Sequence, residues 1–525
     1  MTLLEFFRRI LRHLAAVLLF PSALKTVPVT PKSSPEVNVV ETTSRMASLD
    51  SLKDEIMQLF HAPCTIRRML SMSSALRIQY KAKLQESEAC MLPSFCHALP
   101  NGQEKGTYIA LDVGGSTFRV ALIELRGKNT EQTPMVIKHM TTSKIDERTR
   151  KLPSTQFFDW MAGRIGAMLE HEKDLLLSRE GQPVPMGLAW SFPIEQTSHR
   201  SGKMQGMGKG FACHEDTIGM DLAGLIEVAC LKRNLNVRVD AIVNDSSATL
   251  LSQAYLDSAT SMALILGTGT NAAVYLPTSC MGASKFGSRD PSWFKTAQKV
   301  ITNTEVSMFG KLILPETRWD QTLNKQHHMP DFQPLEYMVT GRYLGELLRL
   351  IIVEAVETGE LFNGKLPSAL SERYSLDTEV LAHLEEDDSE NLTRSGPLIK
   401  KAFGLKHVPS KKELSFLRTA AQSISYRASA YISTAVHALW ALQKETDSGS
   451  VTSVDTPKTS IACNGSVILK YPGFKDRSEE FLHDMVTSSS TSTRGTTQAE
   501  KIVLVPTDEA ALFGAAVAVA LADGP

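Results

Sequence analysis

The stretch Val239-Asp-Ala-Ile-Val-Asn-Asp-Ser-Ser-Ala-Thr-Leu250 carries a short apolar, β-branched run that ends on Asn244-Asp245. A carboxylate at the C-terminal end of a buried strand stands where open α/β sheets place their ligand crevice. From there Asp245 could take a proton from a substrate hydroxyl, and Asn244 could orient that hydroxyl. The same pair could equally do no more than cap the helix expected from Ser246 onward.

Two glycine turns offer a second kind of chemistry. Tyr108-Ile-Ala-Leu-Asp112 reads as a strand, Gly114-Gly115-Ser116-Thr117 as a tight turn, and residues 118–125 as a returning strand. Met262-Ala-Leu-Ile-Leu266, Gly267-Thr268-Gly269-Thr270-Asn271 and residues 272–276 repeat the pattern. Each turn joins two strands, unlike a Rossmann or Walker loop, which leads into a helix. Such a turn can be an ordinary hairpin, but its backbone N–H groups can also approach phosphate closely. Asp112, at a strand end beside the first turn, could hold Mg²⁺ through water. The repetition points to two related domains that each present a turn to a shared cleft, with Asp245 near the crossing between them.

The elements that must position these groups follow from length and patterning. At 525 residues the chain is too long for one core and should form two or more domains. Its 42% hydrophobic and 22% charged fractions are those of a soluble globular protein. A formal net charge of −1 gives no bulk attraction to nucleic acid. The seven cysteines are dispersed, Cys90 and Cys96 being the nearest pair, which suits reduced cytosolic thiols and argues against cysteine-bound metal. Residues 49–84 are helical in pattern, with Asp50 as N-cap and Leu52, Ile56, Leu59 and Phe60 facing inward. The Ser/Thr-rich stretches 446–456 and 487–497 read as exposed loops.

Residues 1–24 form a separate problem. Leu3, Phe6, Phe7, Ile10, Leu14, Val17 and Leu18 recur at helical spacing, while Arg8, Arg9 and Arg12 share another face. Pro21 stops the apolar run short of the roughly 20 residues that span a bilayer. A peripheral membrane anchor, a mitochondrial presequence and a cleaved secretory signal all remain open. Residues 26–43, with three prolines, read as a tether. The expected location is cytoplasmic, with the mitochondrial outer membrane as a surface this segment could address.

Taken together, the motifs resemble those of the hexokinase family, its atypical, divergent fungal members among them. Leu111-Asp-Val-Gly-Gly-Ser-Thr-Phe-Arg119 is similar to its first phosphate motif, and Ser191-Phe-Pro through Gly202 to Lys209-Gly-Phe211 to its sugar signature. Asn244-Asp245, Gly267 to Asn271, Asn303-Thr-Glu305 and Glu336-Tyr-Met-Val-Thr-Gly-Arg-Tyr-Leu-Gly-Glu346 continue the order. Asn464-Gly465-Ser466 and Lys470-Tyr-Pro-Gly-Phe474 complete it. The resemblance implies an α/β, actin-like ATPase (ribonuclease H-like) fold with a cleft between a small and a large domain. Residues 46–103 and 243–508 would form the large domain, and 104–242 and 509–525 the small one.

It also implies ATP-dependent transfer to the 6-hydroxyl of a glucose-like hexose. Asp245 would be the base and Lys209 a second catalytic group, with Ser191, Asn244, Asn271, Glu305 and Glu336 holding the sugar. Mg-ATP would lie against Asp112, Gly114, Gly115, Ser116, Thr117, Arg119, Gly267, Thr268, Gly269, Gly465 and Ser466, with Mg²⁺ held by Asp112 through water. The expected assembly is a monomer or dimer.

The nucleotide side departs from the family pattern. Gly208 stands for threonine, Ser116-Thr117 for Thr-Asn, and Asn464 for aspartate. Glu509-Ala510-Ala511-Leu512 replaces Asp-Gly-Ser-Gly, and Val306-Ser-Met replaces Trp-Gly-Ala after Glu305. Alanine and leucine resist the positive φ that glycine permits. A working hexose 6-kinase and a sugar sensor that keeps the pocket but transfers slowly or not at all are therefore both open.

Overall fold

The computed structural model describes residues 48–153, 155–170, 181–207, 210–212, 214–287, 289–447, 458–490 and 500–522. The expectations for residues 1–45 and for Gly208 and Lys209 fall outside these. The described chain opens with helices Leu49–His61 (α1) and Ile66–Glu86 (α2), where one continuous helix was expected. Pro63 lacks an N–H and cannot continue a helix, so residues 62–64 tighten into a single 3₁₀ turn and Thr65 is extended. Ser48 caps α1 by accepting from Ser51 N, while Asp50 lies in the first turn. A carboxylate there still favours the positive end of the helix. Leu49, Leu52, Ile56 and Phe60 face inward, but Leu59 is 37% exposed. The described parts of the two Ser/Thr-rich stretches, residues 446–447 and 487–490, finish helices rather than form loops.

Two sheets follow, and they share one topology. After the short strand Leu92–Pro93 (β1) come Gly106–Val113 (β2), Thr117–Leu125 (β3), Met135–Lys144 (β4) and Val184–Trp190 (β5). Ile194–Gln196 (β6) and Gly202–Met204 (β7) make a separate hairpin, and Val237–Val243 (β8) completes a five-stranded sheet in the order β4-β3-β2-β5-β8. Thr260–Leu266 (β9), Thr270–Pro277 (β10), Lys299–Asn303 (β11), Lys458–Asn464 (β12) and Lys501–Pro506 (β13) repeat that order as β11-β10-β9-β12-β13, with β1 added at the edge. In both sheets the first three strands run antiparallel and the last two join in parallel. Each glycine turn occupies the same place, between the first and second strands of its sheet.

The helix Asp245–Leu256 (α3) carries the chain from the last strand of the first sheet to the first strand of the second. It packs against the helix Ala510–Ala522 (α5) and β9, and α5 packs in turn on β2, β5 and β8. Both helices belong to one apolar cluster with inward residues of both sheets, among them Ala110, Ala189, Ala241, Ala263, Ala273 and Ala462. Small side chains let the backbones approach, and Gly514 is the extreme case. A Cβ there would lie 1.9 Å from the carbonyl oxygen of Ala248 on α3.

The second sheet is backed by α1, α2 and the 37-residue helix Lys411–Asp447 (α4). Within that core the fully buried Arg427 donates through both Nη atoms to Asp320, at 2.5 and 2.7 Å, and lies over the Phe60 ring. Asp320 also accepts from Thr317 N and Oγ1, so its buried charge is satisfied on every side.

Gly514→Ala should therefore lower stability, by about 1–3 kcal/mol for an overpacked site. At an open helical position the same change would raise it by about 1 kcal/mol through helix propensity. A thermal-unfolding comparison that found the variant more stable would refute the close crossing.

Candidate active site

Asp245 begins α3 at the end of β8, and Asn244 precedes it in extended conformation. The capping alternative holds for Asn244: its Oδ1 accepts from Ser247 N at 2.9 Å and its Nδ2 donates to Ser246 Oγ at 3.1 Å. Asp245 is the first helical residue and accepts from Ser246 N at 2.7 Å. Its carboxylate therefore sits at the positive end of a 12-residue helix.

A chain of amides on the second sheet fixes the next carboxylate. Ala272 N donates to Asn271 Oδ1, Asn271 Nδ2 to Asn303 Oδ1 at 2.9 Å, and Asn303 Nδ2 to Glu305 Oε1 at 2.8 Å. Asn271 Nδ2 also reaches Glu305 Oε1 at 3.4 Å. Glu305 adopts a left-handed conformation, φ 49° and ψ 50°, which turns the chain sharply off β11 into residues 306–308. Val306 and Ser307 are buried beneath it, and Ser307 Oγ accepts from Gln333 Nε2 at 3.3 Å. The residues that depart from the family pattern thus tie Glu305 to the helix Pro334–Val339, which carries Glu336.

Glu336 links the carboxylates to the second glycine turn. Its Oε2 accepts from Thr270 N at 3.1 Å, and a Cβ at Gly269 would come within 3.0 Å of the same oxygen. Burial pushes the Glu305 carboxyl up to about 7, and the charges of Asp245 and Glu336 add to the rise against the hydrogen bonds from Asn303 and Asn271. The charges of Asp245 and Glu336 are thus both felt at Glu305. At neutral pH Glu305 can either donate or accept, and its amide neighbours add donors, a set that matches a molecule bearing several hydroxyls.

The glycine turns supply backbone donors. Gly114 N is used by Thr117 O, Gly267 N by Gly269 O, and Thr270 N by Glu336. The amides of Gly115, Ser116, Thr268 and Gly269 donate to nothing among the described residues, which leaves two per turn for anionic oxygens. Gly465, at φ +114°, and Ser466 pack against Gly267, so this part of the expected nucleotide set meets the second turn. Ser191 N donates to Val113 O at 3.3 Å, beside the first turn.

Arg119 does something the sequence reading did not contain. It donates from Nε to Asp112 Oδ2 at 2.8 Å, again from Nη2 to the same oxygen, and from Nη1 to Glu509 Oε2. Glu509 itself carries a positive φ, 49°, at the entry to α5, while Ala510 and Leu512 are helical and buried. The positive φ in this segment thus falls on Glu509, held by an ion pair, and not on Ala510 or Leu512, which stand where the family pattern has glycine. Asp112, Arg119 and Glu509 together keep one negative charge, and Asp112 Oδ1 accepts no hydrogen bond among the described residues. A hard divalent cation held through water fits that oxygen. Asn303 and Glu509 are the functional residues the sequence reading missed; Asn303 stood inside a quoted motif, two residues before Glu305.

Family models described as hexokinase match residues 54–255 and 261–521. Hexokinase-1 of Saccharomyces cerevisiae is 31% identical over 440 residues, covering 82% of this chain and 84% of that protein. Hexokinase of Schwanniomyces occidentalis is 30% identical over 439 residues, with the same shares covered. Among solved structures, hexokinase from Schistosoma mansoni complexed with glucose matches with a TM-score of 0.72 at 25% identity, over 90% of this chain and 100% of that one.

The raised Glu305 carboxyl has a measurable sign. The folded state holds its proton up to about 7, whereas the ordinary value is 4.5, so stability falls as pH rises between them. Glu305→Gln should remove this slope and gain up to about 3 kcal/mol above pH 7 relative to the parent. Parallel pH dependences for the two proteins in chemical denaturation would contradict the carboxylate cluster.

Proposed function

The chain belongs to the hexokinase family, and from that premise we propose how it phosphorylates a glucose-like hexose at the 6-hydroxyl. The observation that carries the reading is that Asp245 and Glu336 bear electrostatically on Glu305 while Glu336 is held by the second glycine turn, each of the two turns keeping unpaired amides. Asp245 accepts the 6-hydroxyl proton as the hydroxyl oxygen attacks the γ-phosphorus of ATP. Glu305, Glu336, Asn271 and Asn244 hold the other hydroxyls, with Ser191 and Lys209 completing the sugar site. Asn303 is a positioning residue that acts through Glu305.

On the nucleotide side, the amides of Gly115, Ser116, Thr268 and Gly269 receive the phosphate oxygens. The Thr117 side chain and Gly114 shape the first turn, and Gly267, Gly465 and Ser466 shape the region for the nucleoside. Mg²⁺ bound with ATP supplies charge neutralisation at the transferring phosphoryl group. Asp112 would hold it through water, and Arg119 sets the orientation of that carboxylate. Residues 46–103 with 243–508, and 104–242 with 509–525, are proposed as the two bodies that close over the sugar and exclude water as a competing acceptor.

Residues 1–24 are assigned peripheral membrane contact on their arginine and Leu/Phe pattern. No helix among the described residues is long and apolar enough to cross a membrane. Deleting 1–24 should abolish sedimentation with anionic vesicles and leave glucose affinity unchanged; sedimentation of the truncated protein would refute the assignment.

The test of the activity is glucose-dependent ADP formation with Mg-ATP by the protein and by Asp245→Asn. Turnover of roughly 1–100 s⁻¹ in the parent, abolished in a variant that still binds glucose, is expected. Equal and negligible ADP formation in both, with glucose bound, would overturn transfer and leave the sugar-sensing role.

A further inference from the structure

Cys96 and His199 lie far apart in sequence, and neither belongs to the candidate active site. The thiol sulfur of Cys96 is 3.7 Å from His199 Nδ1, and His199 Nε2 is 3.0 Å from the carbonyl oxygen of Ala518 on α5. A carbonyl can only accept, so Nε2 must carry the hydrogen. Nδ1 is then left as the acceptor facing the thiol. The arrangement is that of an imidazole ready to take the proton of the Cys96 thiol and remain as a cation beside the sulfur.

The surroundings favour that charge state. Burial alone would lower the imidazole, but the Cys96 sulfur, the Ala518 carbonyl and the Asp240 carboxylate outweigh it and lift His199 to about 9. Burial pushes Cys64 and Cys230 up to about 12 and Cys280 up to about 11, and it also raises Cys90 and Cys463. Cys96 is only 4% exposed, which bars bulky reagents from the folded chain.

We propose that Cys96 is a modification site for hydrogen peroxide, with His199 as the base that activates its sulfur. The thiol proton passes to His199 Nδ1, and the sulfur attacks one peroxide oxygen. An S–O bond forms and the O–O bond breaks. The departing hydroxide takes the proton back from His199 and leaves as water. Sulfur is oxidised by two electrons to the sulfenic acid, peroxide is reduced to water, and an added thiol can reverse the change.

The site also joins the two halves of the fold. The Cys96 carbonyl accepts from Ile301 N on β11, whereas the His199 carbonyl accepts from Ile242 N on β8. An oxygen added at the sulfur enters the contact between segments anchored to different sheets.

The experiment is exposure of the folded full-length chain to limiting hydrogen peroxide, then removal of the peroxide, unfolding in dimedone to trap every sulfenic acid and peptide mass spectrometry, beside His199→Gln. The glutamine amide can still donate to Ala518. Cys96 is expected to be trapped before Cys64, Cys90, Cys230, Cys280 and Cys463, with its rate reduced roughly tenfold or more in the variant, which lacks the Nδ1 acceptor facing the sulfur. Oxidation of Cys96 no earlier than these thiols in the parent overturns the proposal whether or not the variant folds. An equal rate in a folded variant overturns the role of His199.

Discussion

The contact on which the rest depends is the crossing of α3 and α5, where Gly514 rests on the backbone of Ala248. These two helices share one core with both sheets, so their separation sets the distance between the sheets. Asp245 is the first residue of α3, and Glu509 stands at the entry to α5. The acid proposed as base and the ion pair that secures Asp112 are therefore placed by the same helix pair. A wider crossing would move both at once. This explains why so small-residue a segment, with Ala515, Ala516, Ala518 and Ala520 all buried, lies at the mechanical centre of a protein with large aromatic cores elsewhere.

Around that frame the site accepts an electrostatic penalty. Three carboxylates bear on one another, and burial with mutual repulsion raises the Glu305 carboxyl to about 7. The amide chain from Asn271 through Asn303 offsets part of the cost, and Thr270 N offsets part of it at Glu336. A ligand rich in hydroxyl donors can supply what remains. The nucleotide side is built on the opposite logic, with unpaired amides in both turns and a single residual negative charge shared by Asp112, Arg119 and Glu509. Oxygen anions meet the first, and a hydrated cation meets the second.

Much of this was legible in the chain because it is written locally. The paired strand–turn–strand units are punctuated by glycines, and the β-branched run before Asn244-Asp245 marks a strand end without any tertiary knowledge. Pro63 was equally visible, yet the strong apolar pattern on both sides concealed the break it makes. What could not be read were contacts between distant segments. Arg119 and Glu509 meet across 390 positions, and Cys96 and His199 across 103. The substitutions after Glu305 looked like losses because a sequence shows what a side chain lacks, not the new partner, Gln333, that Ser307 finds.

The central claim is that the hydroxyl facing Asp245 is the one that receives phosphate. Its most direct measurement is phosphorus–carbon coupling in the NMR spectrum of the product made from uniformly ¹³C-labelled glucose and Mg-ATP. The account predicts coupling that identifies the 6-phosphate alone. Phosphate on another carbon, or ATP hydrolysis that leaves the bound sugar unmodified, would contradict it.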